Sequence, residues 1–174
     1  MITPDQQKWI NHLSDESKIK IIPFDPTSQE KFEKVRSIIL SSLGESTPFV
    51  HQGATSMGIS GQDEIDTYIP ISVDLFEEYI SKLGKLFGEP RKIYPGDRAH
   101  FITKEDGKRI DVYLINKDSP SWLNGVKFQN YLSTHPDALE EYRILKEAGD
   151  GLSVREYYRR KTEFINNILE KYNL

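Results

Sequence analysis

Cysteine is absent from this chain of 174 residues, which excludes disulfides, thiolate metal ligands and cysteine nucleophiles. No apolar run approaches the length needed to span a bilayer, so no membrane partner is expected. The opening residues, MITPDQQKW, lack a basic start followed by an apolar stretch. No secretory signal is therefore expected, and the cytoplasm is the default compartment. An excess of positive charge is missing as well. The formal net charge is −4, which disfavours the broad basic field of a protein that coats nucleic acid. There is no internal repeat, low-complexity tract or Pro/Gly-rich linker. The expectation is one domain over 1–174, with 1–17 as an N-terminal helical extension. At 37% hydrophobic and 29% charged residues, the composition is that of a globular domain with one real core.

What is present reads as strands interleaved with helices, followed by a helical tail. Thr3-Pro4 with Gln6 has the form of a capping box with proline in the first turn, opening a short helix with Trp9, Ile10 and Leu13 on its apolar face. Ile19 to Phe24 is a β-rich run ended by Asp25-Pro26. Phe32, Val35, Ile39 and Leu43 fall at helical spacing within Ser28 to Leu43, and Gly44 stops that helix. Phe49 to His51 predicts a short strand, and Glu64 to Val73 a longer one. In the longer strand Ile65, Thr67, Ile69, Ile71 and Val73 share one face, and Glu64, Asp66 and Tyr68 the other. A helix is expected from Asp74, with Leu75, Tyr79, Leu83 and Leu86 inward. His100 to Lys104 and Arg109 to Ile115 flank Asp106-Gly107, a strong hairpin signal. A short helix is expected over Asp118 to Leu123, and a better-formed one over Pro136 to Ala148 with Leu139, Tyr142 and Leu145 inward. A final helix is capped by Ser153 with Glu156 and carries Tyr157, Lys161, Phe164, Ile165, Ile168 and Tyr172 on one side. The order predicts an α+β fold, with helices on a small mixed sheet.

The chemistry concentrates in HQGATSMGISGQDEIDTYIPISV, residues 51–73. Acids at alternate strand positions point the same way, so Glu64 and Asp66 are candidates to share a metal ion. Asp111 alternates with Ile110, Val112 and Leu114 and is expected to point away from their apolar face. Strands disfavour Asp, which makes Asp111 the more telling acid. Transfer of phosphoryl or nucleotidyl groups is limited by crowded negative charge, which Mg²⁺ or Mn²⁺ relieves, and these hard ions prefer carboxylate oxygens. Gly53, Thr55 and Ser56 form a small-residue loop whose backbone N–H groups and hydroxyls suit phosphate oxygens. Each feature has a plainer reading. Glu64 and Asp66 can line a wet strand face. Asp111 can pair with Arg109, Arg98 or Lys92, the loop can be an ordinary turn, and Lys161 can cover apolar surface with its ammonium in water. His51 before a turn is a common structural histidine, and His12, His100 and His135 have no metal-ligand spacing.

Four segments together resemble the GrpB family, a branch of the nucleotidyltransferase superfamily with a DNA polymerase β-type core. IKIIPFDP at 19–26 resembles the family's opening strand and turn. HQGATSM at 51–57 resembles its H-x-G-S-T-S-V loop before an acid-bearing strand. Asn116 to Trp122 with FQNYLSTHP at 128–136 resembles a stretch usually written F-R-D-Y-L-R-x-H-P. Tyr142, Leu145, Lys146, Tyr157, Lys161, Phe164 and Ile165 resemble its closing helices. The resemblance covers nearly everything after Ser17 and implies a nucleotidyltransferase-like sheet with flanking helices and a helical C-terminal tail. Ala54 departs from the family's usual Ser. Gln129 and Asn130 replace an Arg-Asp pair, and the segment before Glu64 is altered and shorter by one residue. Asp111 stands where many members carry His, which moves this chain towards the superfamily's pattern of three acids.

The resulting expectation is a nucleotidyltransferase-like protein that binds a nucleoside triphosphate with Mg²⁺ or Mn²⁺ and transfers a nucleotidyl group to a small hydroxyl or phosphate acceptor. Glu64, Asp66 and Asp111 are the expected metal ligands. Asp66 and Asp111 are the expected catalytic acids, with Asp111 completing the site or acting as base. Gly53, Thr55, Ser56 and Lys161 are the expected triphosphate contacts. The alternative is a noncatalytic nucleotide-binding or interaction module that keeps the fold without turnover. A weaker third is an RNA-modifying enzyme steered by Arg155, Arg159, Arg160 and Lys161.

Overall fold

A computed structural model describes residues 1–173. The chain folds into two compact units. The first comprises Met1–Pro23, Ser60–Gln62 and the chain from Asn124 on, and the second comprises Phe24–Ile59 and Asp63–Leu123.

The second unit carries the sheet. Its strands are β1 (Val50–Gln52), β2 (Glu64–Ile71), β3 (Lys92–Tyr94), β4 (Arg98–Glu105) and β5 (Lys108–Asn116), in the order β1-β2-β5-β4-β3. Among the described residues β2 pairs with β5 in parallel, and the other neighbours pair antiparallel. The fold is therefore α+β on a mixed sheet. Alternation in β2 is strict: Ile65, Thr67 and Ile69 are fully buried, while Glu64, Asp66, Tyr68 and Pro70 on the opposite face are half-buried. Two helices, α2 (Ser28–Leu43) and α4 (Phe76–Phe87), supply the apolar layer. Phe32, Val35 and Ile39 of α2, with Phe76 and Leu83 of α4, pack against Ile65, Ile69, Phe101, Ile110, Val112 and Leu114. The other face of β2 and β5 carries the acids.

The helix after β2 has a different phase from the expected one. A 3-10 turn at Val73–Leu75 precedes α4, so the inward stripe is Phe76, Tyr79, Ile80, Leu83 and Phe87, and Leu75 is exposed. Counted from Phe76, those positions fall at i+3, i+4, i+7 and i+11, a better match to 3.6 residues per turn. The hairpin between β4 and β5 is as expected: Glu105 pairs with Lys108 across Asp106-Gly107, both with positive φ (46° and 76°), the signature of a type I′ turn. Lys108 starts β5 almost fully buried and is paired with Asp63 and Asp25.

In the first unit, α1 (Pro4–Asn11) has the expected capping box of Thr3 and Gln6. α7 (Val154–Lys171) begins at Ser153, whose hydroxyl accepts the Glu156 N–H. Asn166 of α7 donates to the Met1 carbonyl and to Gln6, fixing α1 along α7. Phe128, Tyr142 and Phe164 meet as an aromatic cluster, with Phe128 edge-on to Tyr142 at 5.2 Å. They come from α5 (Pro120–Thr134), α6 (Pro136–Glu147) and α7. The run Ile19 to Phe24, expected as a strand, forms one isolated bridge among the described residues, Ile22 to Gly61, with a second just before it at Lys18 to Ser153. Its apolar side chains pack, but its backbone finds no continuous partner strand. The short helix expected over Asp118 to Leu123 is the first turn of the much longer α5. Ser119 accepts the Trp122 N–H and Pro120 takes the first helical position, a start with no stop signal behind it.

Candidate metal centre

The parallel register of β2 and β5 builds the acidic site. Glu64 lies opposite Arg109, and Asp66 opposite Asp111. Neighbouring strands sit about 4.8 Å apart, so two acids in register on one face must meet. Glu64, Asp66 and Asp111 each present an oxygen within 4.8 Å of the others. Three carboxylates that close repel strongly unless cations hold them.

Asp111 is the anchor of the group. Its side chain is 1% exposed. One oxygen, Oδ1, accepts three contacts: His100 Nε2 at 2.5 Å, Arg109 Nη2 at 2.8 Å and Arg109 Nε at 3.2 Å. Burial works to raise the Asp111 carboxyl. The hydrogen bonds from His100 and Arg109, with the Arg109 charge, overcome it and hold the group below the usual carboxylate range. The other oxygen, Oδ2, is buried and has no hydrogen-bond partner among the described residues. A bare, ionised, buried carboxylate oxygen is costly, and natural proteins rarely leave one. A bound cation removes that cost. The donor set is all oxygen, which suits Mg²⁺ or Mn²⁺ rather than a soft metal. The residues present therefore fit a hard divalent ion.

Arg109 was legible as a partner of Asp111, but His100 was not. The hairpin register pairs His100 with Tyr113, which sets His100 diagonal to Asp111 on the same face. Counting outward from Asp106-Gly107 gives that register, so the signal lay in the turn rather than in histidine spacing. Tyr68 and Tyr113 continue the face beyond the acids, stacked at 5.0 Å, and His100 stacks on Tyr113 at 4.4 Å. Burial, then the charges of Asp66 and Asp111, push the Tyr113 hydroxyl far above its ordinary range, so it stays neutral.

The small-residue loop is a single helical turn, α3 (Gly53–Ser56), reached directly from β1. Gln52 pairs with Asp66, which brings Gly53 against the site. Gly53 has φ +77°, and a Cβ there would lie 2.4 Å from Asp66 Oδ2. Only glycine fits. Ser56 donates to the Gly53 carbonyl at 2.8 Å inside the turn, and Thr55 Oγ1 lies 2.9 Å from His51 Nε2, which ties the turn to β1. His51 also reaches Gln29 and stacks on Phe32. Burial pushes His51 down to about 4, which leaves the imidazole neutral at pH 7. Ala54, where the resemblance implied serine, is buried, so its methyl packs where a hydroxyl would need a partner. The structure thus brings Gly53, Glu64, Asp66 and Asp111 together, with Thr55 and Ser56 in the adjoining turn. Lys161 belongs to α7 in the first unit, where its Nζ lies 5.5 Å from the centre of the Tyr158 ring.

Among solved structures, the chain is similar to the conserved protein GrpB from Enterococcus faecalis. The TM-score is 0.67 at 20% identity, covering 88% of this chain and 99% of that one, a likeness of fold. Among curated proteins it is similar to the UPF0157 protein YqkA of Bacillus subtilis (strain 168), 24% identical over 167 residues. That match covers 91% of this chain and 48% of YqkA, so the chain spans about half the length of this relative. The family model described as GrpB protein matches residues 18–171, nearly the whole chain, and the chain belongs to the GrpB family.

Proposed function

We propose that this GrpB-family chain binds a nucleoside triphosphate together with Mg²⁺ and transfers its nucleotidyl group to a hydroxyl or phosphate acceptor. The observation that carries this reading is the buried, unpartnered Oδ2 of Asp111 beside Glu64 and Asp66. Glu64, Asp66 and Asp111 hold the ion, which when bound neutralises charge on the phosphates. Gly53 lets the turn approach Asp66, and the backbone of Gly53, Thr55 and Ser56 faces the phosphates. In the reaction the acceptor oxygen bonds to the α-phosphorus and the α–β bridging P–O bond breaks. Pyrophosphate leaves with the electron pair, and the acceptor's proton passes to solvent. The depressed pKa of Asp111 favours its role as a ligand over its role as a base, because a strong carboxylic acid takes up a proton poorly.

A second reading, a binding module without turnover, is favoured by the engagement of the Ser56 hydroxyl with the Gly53 carbonyl and of the Thr55 hydroxyl with His51, and by Ala54. Titration calorimetry with ATP and Mg²⁺, alongside turnover of α-labelled ATP over a panel of hydroxyl and phosphate acceptors, separates the two. Mg²⁺-dependent binding that is lost in Asp66→Ala, with label transferred to an acceptor, is expected. Binding without transfer supports the second reading, and binding unchanged in Asp66→Ala defeats both.

A further inference from the structure

The face of the sheet that carries the acids is divided by charge. Register and alternation put Glu64, Asp66 and Asp111 of β2 and β5 on it, and Arg98 and His100 of β4 with Lys92 and Tyr94 of β3 on the same side. Lys92 and Tyr94 are exposed, and Arg98 is partly so. Lys92 Nζ lies 4.7 Å and Arg98 Cζ 4.8 Å from the centre of the Tyr94 ring. Lys92, by hydrogen bond and charge, and Arg98, by charge, hold the Tyr94 hydroxyl below its ordinary range, so both cations converge on one phenol. Arg98 meets Asp97 only loosely, at 3.6 Å through Nε, and Lys92 has no carboxylate partner among the described residues. Like charges gathered on a sheet cost stability. An anion between them removes that cost, and an ammonium, a guanidinium and a hydroxyl are donors that suit a phosphate.

The place of this cluster says whose phosphate it is. Lys92 pairs with His100 and His100 with Tyr113, so the cluster stands two strands over and further along the strands from Asp111. With strands about 4.8 Å apart and about 3.3 Å per residue, that is on the order of 15 Å. The triphosphate of a nucleotide whose α-phosphorus sits at the acids cannot reach so far. The turn at Gly53 lies on the opposite side of the acids, next to β1. In-line displacement puts the attacking oxygen and the leaving pyrophosphate on opposite sides of the α-phosphorus. With the phosphates at the Gly53 turn, the acceptor comes in over β5, β4 and β3. His100 and Tyr113, stacked at 4.4 Å, pave that path.

We infer that Lys92, Tyr94 and Arg98 form an anion site for the acceptor, and that the acceptor is an elongated small molecule with a phosphate at one end and the attacking oxygen at the other. This rests on the proposed function for the transfer itself and adds the chemical class of the acceptor.

The test is phosphorus magnetic resonance of inorganic phosphate titrated with the full chain, first alone and then with Mn²⁺ and a nonhydrolysable ATP analogue. Saturable phosphate binding is expected in both. The double variant Lys92→Gln with Arg98→Gln is expected to weaken it by about tenfold or more, since two unit charges a few ångströms from the anion are only partly screened. Lys92→Arg with Arg98→Lys keeps both charges and is expected to stay within about threefold of the parent, on the same Coulomb argument. Mn²⁺ is expected to speed the relaxation of the bound phosphate, and Asp66→Ala to abolish that effect while phosphate still binds. No saturable phosphate binding, or equal binding in a Gln double variant that is folded by circular dichroism, overturns this inference. The proposed function then stands, because calorimetry with ATP and Mg²⁺ reads it separately. Phosphate displaced one for one by the ATP analogue gives the cluster to the triphosphate and overturns the inference as well. A single-stranded RNA that displaces phosphate from these residues and weakens steeply with added salt overturns the small acceptor in favour of nucleic acid. If neither Mn²⁺ nor the analogue binds, the proposed function and the acceptor role fall together. Should the Gln double variant fail to fold, the charge-keeping variant and the Mn²⁺ effect in the parent still decide.

Discussion

Gly53 and His51 show how single residues set the site. A Cβ at Gly53 would meet Asp66 Oδ2 at 2.4 Å, and φ there is +77°. Gly53→Ala therefore strains the backbone and displaces a metal ligand at once. It is expected to lower stability by about 1–3 kcal/mol, measured by urea unfolding, and to weaken Mn²⁺ binding at least tenfold, measured by dialysis. His51 predicts a pH dependence. Its pKa falls from 6.5 to about 4 on folding because burial disfavours the charged ring. Below pH 6.5 the unfolded chain takes up a proton that the folded chain does not, so stability falls as pH drops from about 6.5 towards 4. The loss from this residue is on the order of 2 kcal/mol. Urea midpoints at pH 7 and pH 4.5 check it: the drop is expected to be smaller in His51→Gln than in the parent, because carboxylates titrate alike in both.

At the scale of elements, the β4–β5 hairpin carries the arrangement. Asp106-Gly107 fixes which residues of the two strands face each other, and so brings His100 alongside Asp111. Gly107 has φ +76° and nothing near its missing Cβ. Gly107→Ala is expected to cost about 1 kcal/mol from the backbone alone, lowering the melting temperature by a few degrees in calorimetry while Mn²⁺ affinity holds. This turn and the alternation of β2 were legible in the sequence because both are local. Period two with one apolar face, and Asp-Gly between extended runs, each have a direct cause. The pairing of β2 with β5 was not legible, since nothing in either strand names its partner. β3 was missed for a related reason: Lys92, Ile93 and Tyr94 are all exposed, and such an edge has no alternation to read. Ile19 to Phe24 misled because β-branched residues favour extended backbone even where only isolated bridges form. The phase of α4 slipped because Asp74 with Glu77 three residues on suited a helix start, while the α-helix begins at Phe76 after a 3-10 turn.

Across the whole molecule, the sheet unit holds the acids with Arg109 and His100, and the first unit is built on α1, α6 and α7. Membership of the GrpB family and the α+β fold are properties of nearly the whole chain, and the four quoted segments were enough to suggest both. Among the described residues no helix is long and apolar enough to cross a membrane. A ligand that binds only the folded state stabilises it by about 2.7 kcal/mol at a hundredfold excess over Kd. Saturating Mn²⁺ is thus expected to raise the melting temperature of the parent by several degrees and to leave Asp66→Ala unmoved, as read by scanning fluorimetry. The most direct measurement is anomalous diffraction from a crystal soaked in Mn²⁺. A peak in contact with Glu64, Asp66 and Asp111 is the expected result. A well-ordered site with no peak among those three carboxylates would contradict the metal-centred reading.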